Sequence, residues 1–209
     1  MKKLTYLIAF LGLALHSYGQ YDPEALKVLN AMSAKYKKIN AFSAKFSHQL
    51  VNKDAGINDK MDGEVTVKDE MYVLKLAGQE IYNNSEDVFT FNPEIDEVTI
   101  DTYVAENQEI SLGNIWDLYQ DGFKYSLISV NRAGDRTIEL GPEDKEKSYH
   151  KIEMIIDKEN SLKKFIVYEG SGNQYTYTID DFQERNDLKD SYFTFDVSKY
   201  PNVEVIDFR

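Results

Sequence analysis

Between Asp62 and Asp101 the chain alternates large apolar and polar residues with a period of two, in short runs broken by turn formers. The runs are Gly63–Lys68, Met71–Ala77, Gln79–Tyr82, Asp87–Asn92 and Glu97–Asp101. The breaks are Asp69-Glu70, Ala77-Gly78, Asn83-Asn84-Ser85-Glu86 and Asn92-Pro93-Glu94-Ile95-Asp96. Period-two alternation is the pattern of a strand with one apolar face, and short polar links between such runs make an antiparallel meander. Tyr72, Leu74 and Leu76 share a face of one strand, and Phe89 and Phe91 share a face of the next but one.

The same pattern recurs on both sides. Phe42–Val51 reads as a strand with Phe42, Ala44, Phe46, His48 and Leu50 on one face, followed by a polar connection, Asn52–Lys60. Beyond Asp101 it resumes in Lys124–Asn131, Arg136–Gly141, Tyr149–Asp157, Leu162–Glu169 and Tyr175–Phe182, with Phe193–Phe195 and Val203–Val205 as short extended pieces at the end. Two stretches carry a helical period instead. The first starts at Asp22-Pro23-Glu24, a capping residue followed by Pro and an acid, and presents Ala25, Val28, Leu29, Met32, Tyr36 and Ile39 before ending near Asn40. The second, Ser111–Gln120, places Leu112, Ile115, Trp116 and Tyr119 on one side, with Asp121-Gly122 as its stop. It holds the only Trp and lies between the two strand-rich halves, so it reads either as a lid or as a crossover helix packed in the core. The expected fold is α+β: one strongly curved antiparallel sheet of about eleven strands, an unclosed β-barrel, with helices on its concave side.

The first residues change the picture of location. Lys2-Lys3, the apolar run Leu4–Leu15 and Ser17-Tyr18-Gly19 have the layout of a cleaved secretory leader, and the apolar run is too short to span a bilayer. Residues 1–19 are therefore expected to be removed, leaving 20–209 as a single exported domain, with the periplasm as its address. The absence of Cys excludes a disulfide framework, thiolate chemistry and acylation of the chain itself. The formal net charge of −12 becomes more negative once the two leader lysines are lost, which disfavours nucleic acid and anionic membrane surfaces as partners.

Candidate chemistry is sparse. Outside the leader only His48 and His150 remain, on different strands and without ligand-spaced partners, so neither a metal site nor a His-based triad is expected. Gly170-Ser171-Gly172 is a hairpin turn rather than a nucleophile elbow. There is no phosphate-binding glycine loop. The Asp62-Gly63-Glu64 region fails as a calcium loop because Lys60 falls where an oxygen ligand is required. An enzyme is not expected, and no cofactor is implied. Three readings remain: a carrier of an acylated or lipidic ligand, a protein-interaction module using its sheet edge, and a filled core with no cavity.

Several segments together resemble the outer-membrane lipoprotein carrier family, the LolA-like proteins, over most of the stretch from Asp22 to Val205. They are Phe42-Ser-Ala-Lys-Phe46 after the first helix, Gly63-Glu-Val-Thr-Val-Lys68, Asp87-Val-Phe-Thr-Phe-Asn-Pro93 and Ser191-Tyr-Phe-Thr-Phe195, in that order. The resemblance implies an unclosed barrel with a helical lid, acyl chains of lipoproteins held in its cavity, an inner-membrane ABC transporter as donor and an outer-membrane acceptor. A monomer without a cofactor is expected. Carried over position by position, it makes Phe42, Phe46, Tyr72, Leu74, Leu76, Phe89 and Phe91 the cavity lining and Ile115, Trp116 and Tyr119 the lid. Another lipid or glycolipid is the alternative cargo. One position departs from the family: the Arg-Pro that follows its second strand, whose Arg latches the lid, is here Asp69-Glu70.

Overall fold

The computed structural model describes residues 21–104, 110 and 114–209. Among these residues a single α-helix, α1 (Pro23–Tyr36), precedes β1 (Ala41–Asn52), β2 (Ile57–Lys68), β3 (Met71–Leu76), β4 (Gln79–Asn83), β5 (Asp87–Asn92) and β6 (Glu97–Thr102). A 3-10 turn at Leu118–Gln120 leads into β7 (Phe123–Val130), β8 (Arg136–Pro142), β9 (Tyr149–Ile156), β10 (Leu162–Glu169) and β11 (Gln174–Glu184). The chain closes with β12 (Glu204–Asp207). All twelve strands form one sheet in the order β12-β6-β5-β4-β3-β2-β1-β11-β10-β9-β8-β7. Every pairing between these strands is antiparallel except β12 with β6. The expected α+β architecture is therefore the observed one, with one strand more than the alternation indicated.

Asp22 explains how α1 is anchored. Its Oδ1 accepts the free N–H groups of Glu24 at 2.8 Å and Ala25 at 3.4 Å, satisfying donors that the first helical turn leaves unpaired. Its Oδ2 accepts from Leu127 N–H on the edge strand β7 at 3.0 Å. The Leu127 bond, with the two capping bonds, holds the Asp22 carboxyl below the usual carboxylate range. One side chain thus starts the helix and ties it to the sheet edge. The apolar stripe Ala25, Val28, Leu29, Met32 and Tyr36 is buried against the sheet, and the helix ends at Tyr36, short of Asn40.

Two strand boundaries differ from the expectation. The polar link Asn52–Lys60 is shorter than it reads, because Ile57–Lys60 pair with Gln49–Asn52 and extend β2. Gly56 supplies the positive φ of 67° that the tightened turn requires. Near the C-terminus Phe193 sits in a 3-10 turn, Asp190–Phe193, rather than in an extended piece.

Register divides the β1–β6 half into two apolar surfaces. Phe42, Ala44 and Phe46 stand opposite Val67, Val65 and Gly63, which stand opposite Tyr72, Leu74 and Leu76. This inner face continues through β11, β10, β9 and β8 into the main core, where α1 packs. The opposite face carries Val73, Tyr82, Phe89, Phe91, Val98 and Ile100, aligned through the β3–β6 pairings. After β11 the chain runs back to the far edge of the sheet to form β12, and Phe195, Tyr200 and Val203 pack on this outer face as a second core.

Candidate functional site

The inner face is covered unevenly. Over its β1, β11 and β7–β10 side it is filled by α1 and by residues 114–120. Trp116 is only 7% exposed; its ring stacks on Tyr36 with centroids 3.8 Å apart and meets Phe42 edge-on at 5.8 Å. Phe182 completes this aromatic group, stacked on Phe42 at 4.9 Å. Ile115 and Tyr119 are buried in the same core. Burial of this surface is the main term holding the segment in place, since each large side chain removed from water contributes about 1.5–3 kcal/mol.

Polar groups on and just after α1 clamp the segment as well. Ser33 Oγ donates to Asp117 Oδ1 at 2.5 Å, Tyr119 OH donates to Asn30 Oδ1 at 2.7 Å, and Lys37 Nζ lies 3.2 Å from Asp117. The Tyr36 hydroxyl accepts the Leu162 N–H at 3.1 Å in the core, and burial raises its pKa. The Lys37–Asp117 pair is exposed and adds at most about 1 kcal/mol.

Past this plug the inner face stays apolar but is only half covered. Tyr72, Leu74 and Leu76 of β3 and Tyr175, Tyr177 and Ile179 of β11 are partly buried at the margin of the core. A cavity of about 250 Å³ opens on the β9–β11 side of this margin, lined by Ile110, Ser148, Tyr149, Val167, Glu169, Tyr175 and Tyr177. On β1, Phe46 lies against β2 where Gly63 has no side chain. A Cβ at Gly63 would stand 2.7 Å from Phe46 Cζ and 3.0 Å from the Lys75 carbonyl oxygen, so glycine is what lets the Phe46 ring lie flat there. From Phe42 to Leu50 on β1, Tyr72 to Leu76 on β3 and Tyr175 to Ile179 on β11, the sole ionisable group at the inner positions besides tyrosine is His48. Its ring lies 4.7 Å from Tyr177 and 5.9 Å from Tyr175. Burial lowers its pKa, which favours the neutral imidazole. Such a surface can hold an apolar ligand by burial and offers very few polar handles.

The residues singled out from sequence are not all brought together. Phe42 and Phe46 are core residues of the inner face, and Tyr72, Leu74 and Leu76 form the half-covered wall. Phe89 and Phe91 do not join them: Phe89 pairs with Tyr82 and Phe91 with Glu80, which puts both on the outer face under Phe195 and Tyr200. The physical reason is that alternation gives each strand an apolar side without saying which side it is. The Asn83–Val88 closing pair fixes the register, and a shift of one residue would reverse it. The expected helix Ser111–Gln120 is also corrected. Asn114–Asp117 is a turn and Leu118–Gln120 a single 3-10 turn, while Ser111 and Leu112 lie outside the described residues. Gly113-Asn114 near its start are poor helix formers. Ile115, Trp116 and Tyr119 do face inward, but as a packed plug. Asp69 sits at the tip of the β2–β3 hairpin with a φ of 53°, in solvent, and the clamp on the plug comes from α1. Sequence reasoning placed β11 correctly but did not select Tyr175 and Tyr177, whose spacing by two on a strand was the available signal.

Among the described residues no group of His, Cys, Asp or Glu could hold a metal ion, and no helix is long and apolar enough to cross a membrane.

The family model described as outer membrane lipoprotein carrier protein LolA matches residues 37–196. No curated protein matches the chain. Among solved structures, it is similar to an uncharacterized conserved protein from Thermus thermophilus, with 9% identity, 88% of this chain and 99% of that one covered, and a TM-score of 0.55. It is also similar to the lipoprotein LppX from Mycobacterium tuberculosis, with 12% identity, 80% and 100% coverage, and a TM-score of 0.50. At these identities the likeness is one of fold.

Proposed function

The chain belongs to the family of the outer membrane lipoprotein carrier protein LolA, and from that membership we propose that it binds the acyl chains of lipoproteins in its trough and carries them from the inner to the outer membrane. One observation carries the reading. The apolar inner face continues past α1 and the plug as a half-covered wall of Tyr72, Leu74, Leu76, Tyr175 and Tyr177, whereas a purely structural sheet would bury such a row. Burying acyl chains there contributes about 0.8 kcal/mol per methylene, so useful affinity needs no charged recognition group. The strong negative charge keeps such a carrier soluble while it holds a greasy cargo. An ABC transporter as donor, an outer-membrane acceptor, the periplasm as the place of work and a non-enzymatic role belong to this proposal, as does monomeric action on residues 20–209 after loss of the leader.

The test is direct. Protein purified from its native compartment is extracted and analysed by mass spectrometry for bound lipoprotein or lipid. Delipidated protein is then titrated with acyl ligands of increasing length. Affinity is expected to rise with chain length and to stay flat with salt. A steep salt dependence without a chain-length trend would replace the lipid reading with an electrostatic partner. Copurified glycolipid in place of lipoprotein would keep the carrier and change its cargo, an outcome consistent with the absence of the family Arg at Asp69.

A further inference from the structure

We propose that His48 is the polar anchor of the trough, and that it selects ligands whose acyl chains end in an uncharged carbonyl, an ester or amide, over ligands of equal apolar size without one. The proposal rests on the carrier reading above and adds a chemical preference to it.

The first observation is geometric. His48 lies on β1 at an inner position, paired with Met61 of β2 on one side and Tyr177 of β11 on the other. Its ring leans on Tyr177, with an interplanar angle of 53°, and runs roughly parallel to Tyr175, at 25°. Tyr175 and Tyr177 both line the 250 Å³ cavity. The imidazole therefore stands at the back of the tyrosine pair that forms one wall of the candidate ligand space.

The second observation concerns hydrogen bonding. His48 Nδ1 is shielded from solvent and has no hydrogen-bond partner. Buried polar groups in folded proteins are nearly always paired, and an unpaired one packed directly against the residues of a cavity wall marks a place where a ligand atom or an ordered water completes the set once the wall side chains move aside. The other such atom among the described residues, Arg136 Nε, belongs to a guanidinium already bonded through Nη2 to Asp157 O and Asn160 Oδ1.

The chemistry then narrows the partner. Burial favours the neutral imidazole, which carries one N–H and one lone pair. Residues facing the ring from the two flanking strands are Met61, Tyr175 and Tyr177, and the charged neighbours Lys60 and Asp62 alternate to the other face of β2. With no cation beside it, the site has nothing to balance a carboxylate. A carbonyl oxygen, which needs one donor and no counter-charge, fits. Binding it selects the tautomer with the proton on Nδ1. An ester- or amide-linked acyl group supplies that oxygen at the head of its chain, so the apolar tail fills the trough while the carbonyl meets the imidazole.

The experiment uses delipidated full-length protein and two probes: a lipopeptide carrying a dipalmitoylglyceryl group, and its dihexadecyl ether analogue, which has the same tail size and lacks the ester carbonyls. Wild type is expected to bind the ester about tenfold more tightly, about 1.4 kcal/mol, and His48→Phe to bind both equally. His48→Gln, which keeps a donor, retains part of the preference. Nitrogen-15 spectra of the wild-type imidazole should show Nδ1 becoming the protonated nitrogen on addition of the ester probe and not of the ether, a readout that needs no variant to fold. Equal binding of both probes by wild type, or a preference that survives in His48→Phe, overturns the role of His48 and leaves the carrier standing. Failure of wild type to bind either probe overturns the reading of the trough as a lipoprotein carrier site.

Discussion

The two faces of the β1–β6 half are built from the same residue types and put to different ends. On the outer face Phe89, Phe91, Val98 and Ile100 are capped by Phe195, Tyr200 and Val203, and Phe91 is left 2% exposed. Phe195 and Tyr200 stack on each other at 4.8 Å, and Tyr200 meets Phe91 at 4.6 Å, so the crossover leaves no apolar row open. Lys75, Glu80 and Tyr82 finish its margin. Lys75 Nζ lies 2.9 Å from Glu80 Oε1 and Tyr82 OH donates to Glu80 Oε2 at 2.6 Å; burial and this bond push the Tyr82 pKa up. On the inner face, among the described residues, α1 and the plug cover one part of an equally apolar surface and leave Tyr72, Leu74, Leu76, Tyr175 and Tyr177 partly buried. Composition therefore does not distinguish a structural apolar face from a binding one. What distinguishes them is whether the chain itself supplies the cover.

The largest expected effect breaks the outer side. Phe91→Ala should lower stability by about 3–5 kcal/mol, the range for an aromatic removed from a sealed core, read as a fall in the denaturant midpoint. The acyl affinity of the protein that remains folded should not change. A loss of affinity well beyond the unfolded fraction would show that the outer cluster is part of the ligand space after all. Leu74→Glu attacks the inner wall. It should weaken acyl binding at least tenfold, about 1.4 kcal/mol, while costing less stability than Phe91→Ala because the site is half open. A variant that unfolds outright would make Leu74 a core residue and close the trough at that point.

Acid gives a smaller effect confined to the inner side. The folded-state pKa of His48 is depressed below its ordinary 6.5 by burial. Between the lowered and the ordinary value the unfolded chain binds the extra proton and the folded chain does not, so stability rises with pH across that window. The His48 contribution should be complete above pH 6.5 and decline as pH falls through the lowered pKa. Unfolding measured against pH should lose this slope in His48→Gln, and a slope unchanged by that substitution would assign it to other groups. The smallest change is expected at Trp116. Because its ring is already packed between Tyr36 and Phe42, its fluorescence should be blue before lipid is added and should stay there. A shift on addition of lipid would turn the plug back into a moving lid.

Much of this was legible in the sequence, for reasons that also explain what was not. The runs Asp87–Asn92 and Leu162–Glu169 coincide with β5 and β10 because alternation and their turns are local properties. The helix start at Asp22-Pro23 is likewise local, a cap and a ring that suits the first turn. The facing of Phe89 and Phe91 depends on a hairpin register that their own alternation leaves undetermined, and their cover arrives from residues 195–203. The unpartnered Nδ1 of His48 depends on Met61 and Tyr177 from two other strands, a conjunction that no spacing along the chain announces.

The β1–β11 seam has a consequence for how the molecule is made. The strands β2 to β6 each pair with a neighbour in sequence, and so do β7 to β11, so both halves are assembled from local hairpins. The central strand β1 is different: Phe46 must wait for Ile179, and Leu50 for Tyr175. Until that late segment arrives, β1 offers a bare edge with Phe42 and Phe46 on it, in the middle of the future sheet. Distant pairings of this kind slow folding and leave strand edges open to foreign chains. The nascent protein therefore spends its vulnerable interval with its greasiest surface unguarded, and a chaperone that holds the first half until the second is complete would act on the same surface that the finished molecule turns toward its cargo.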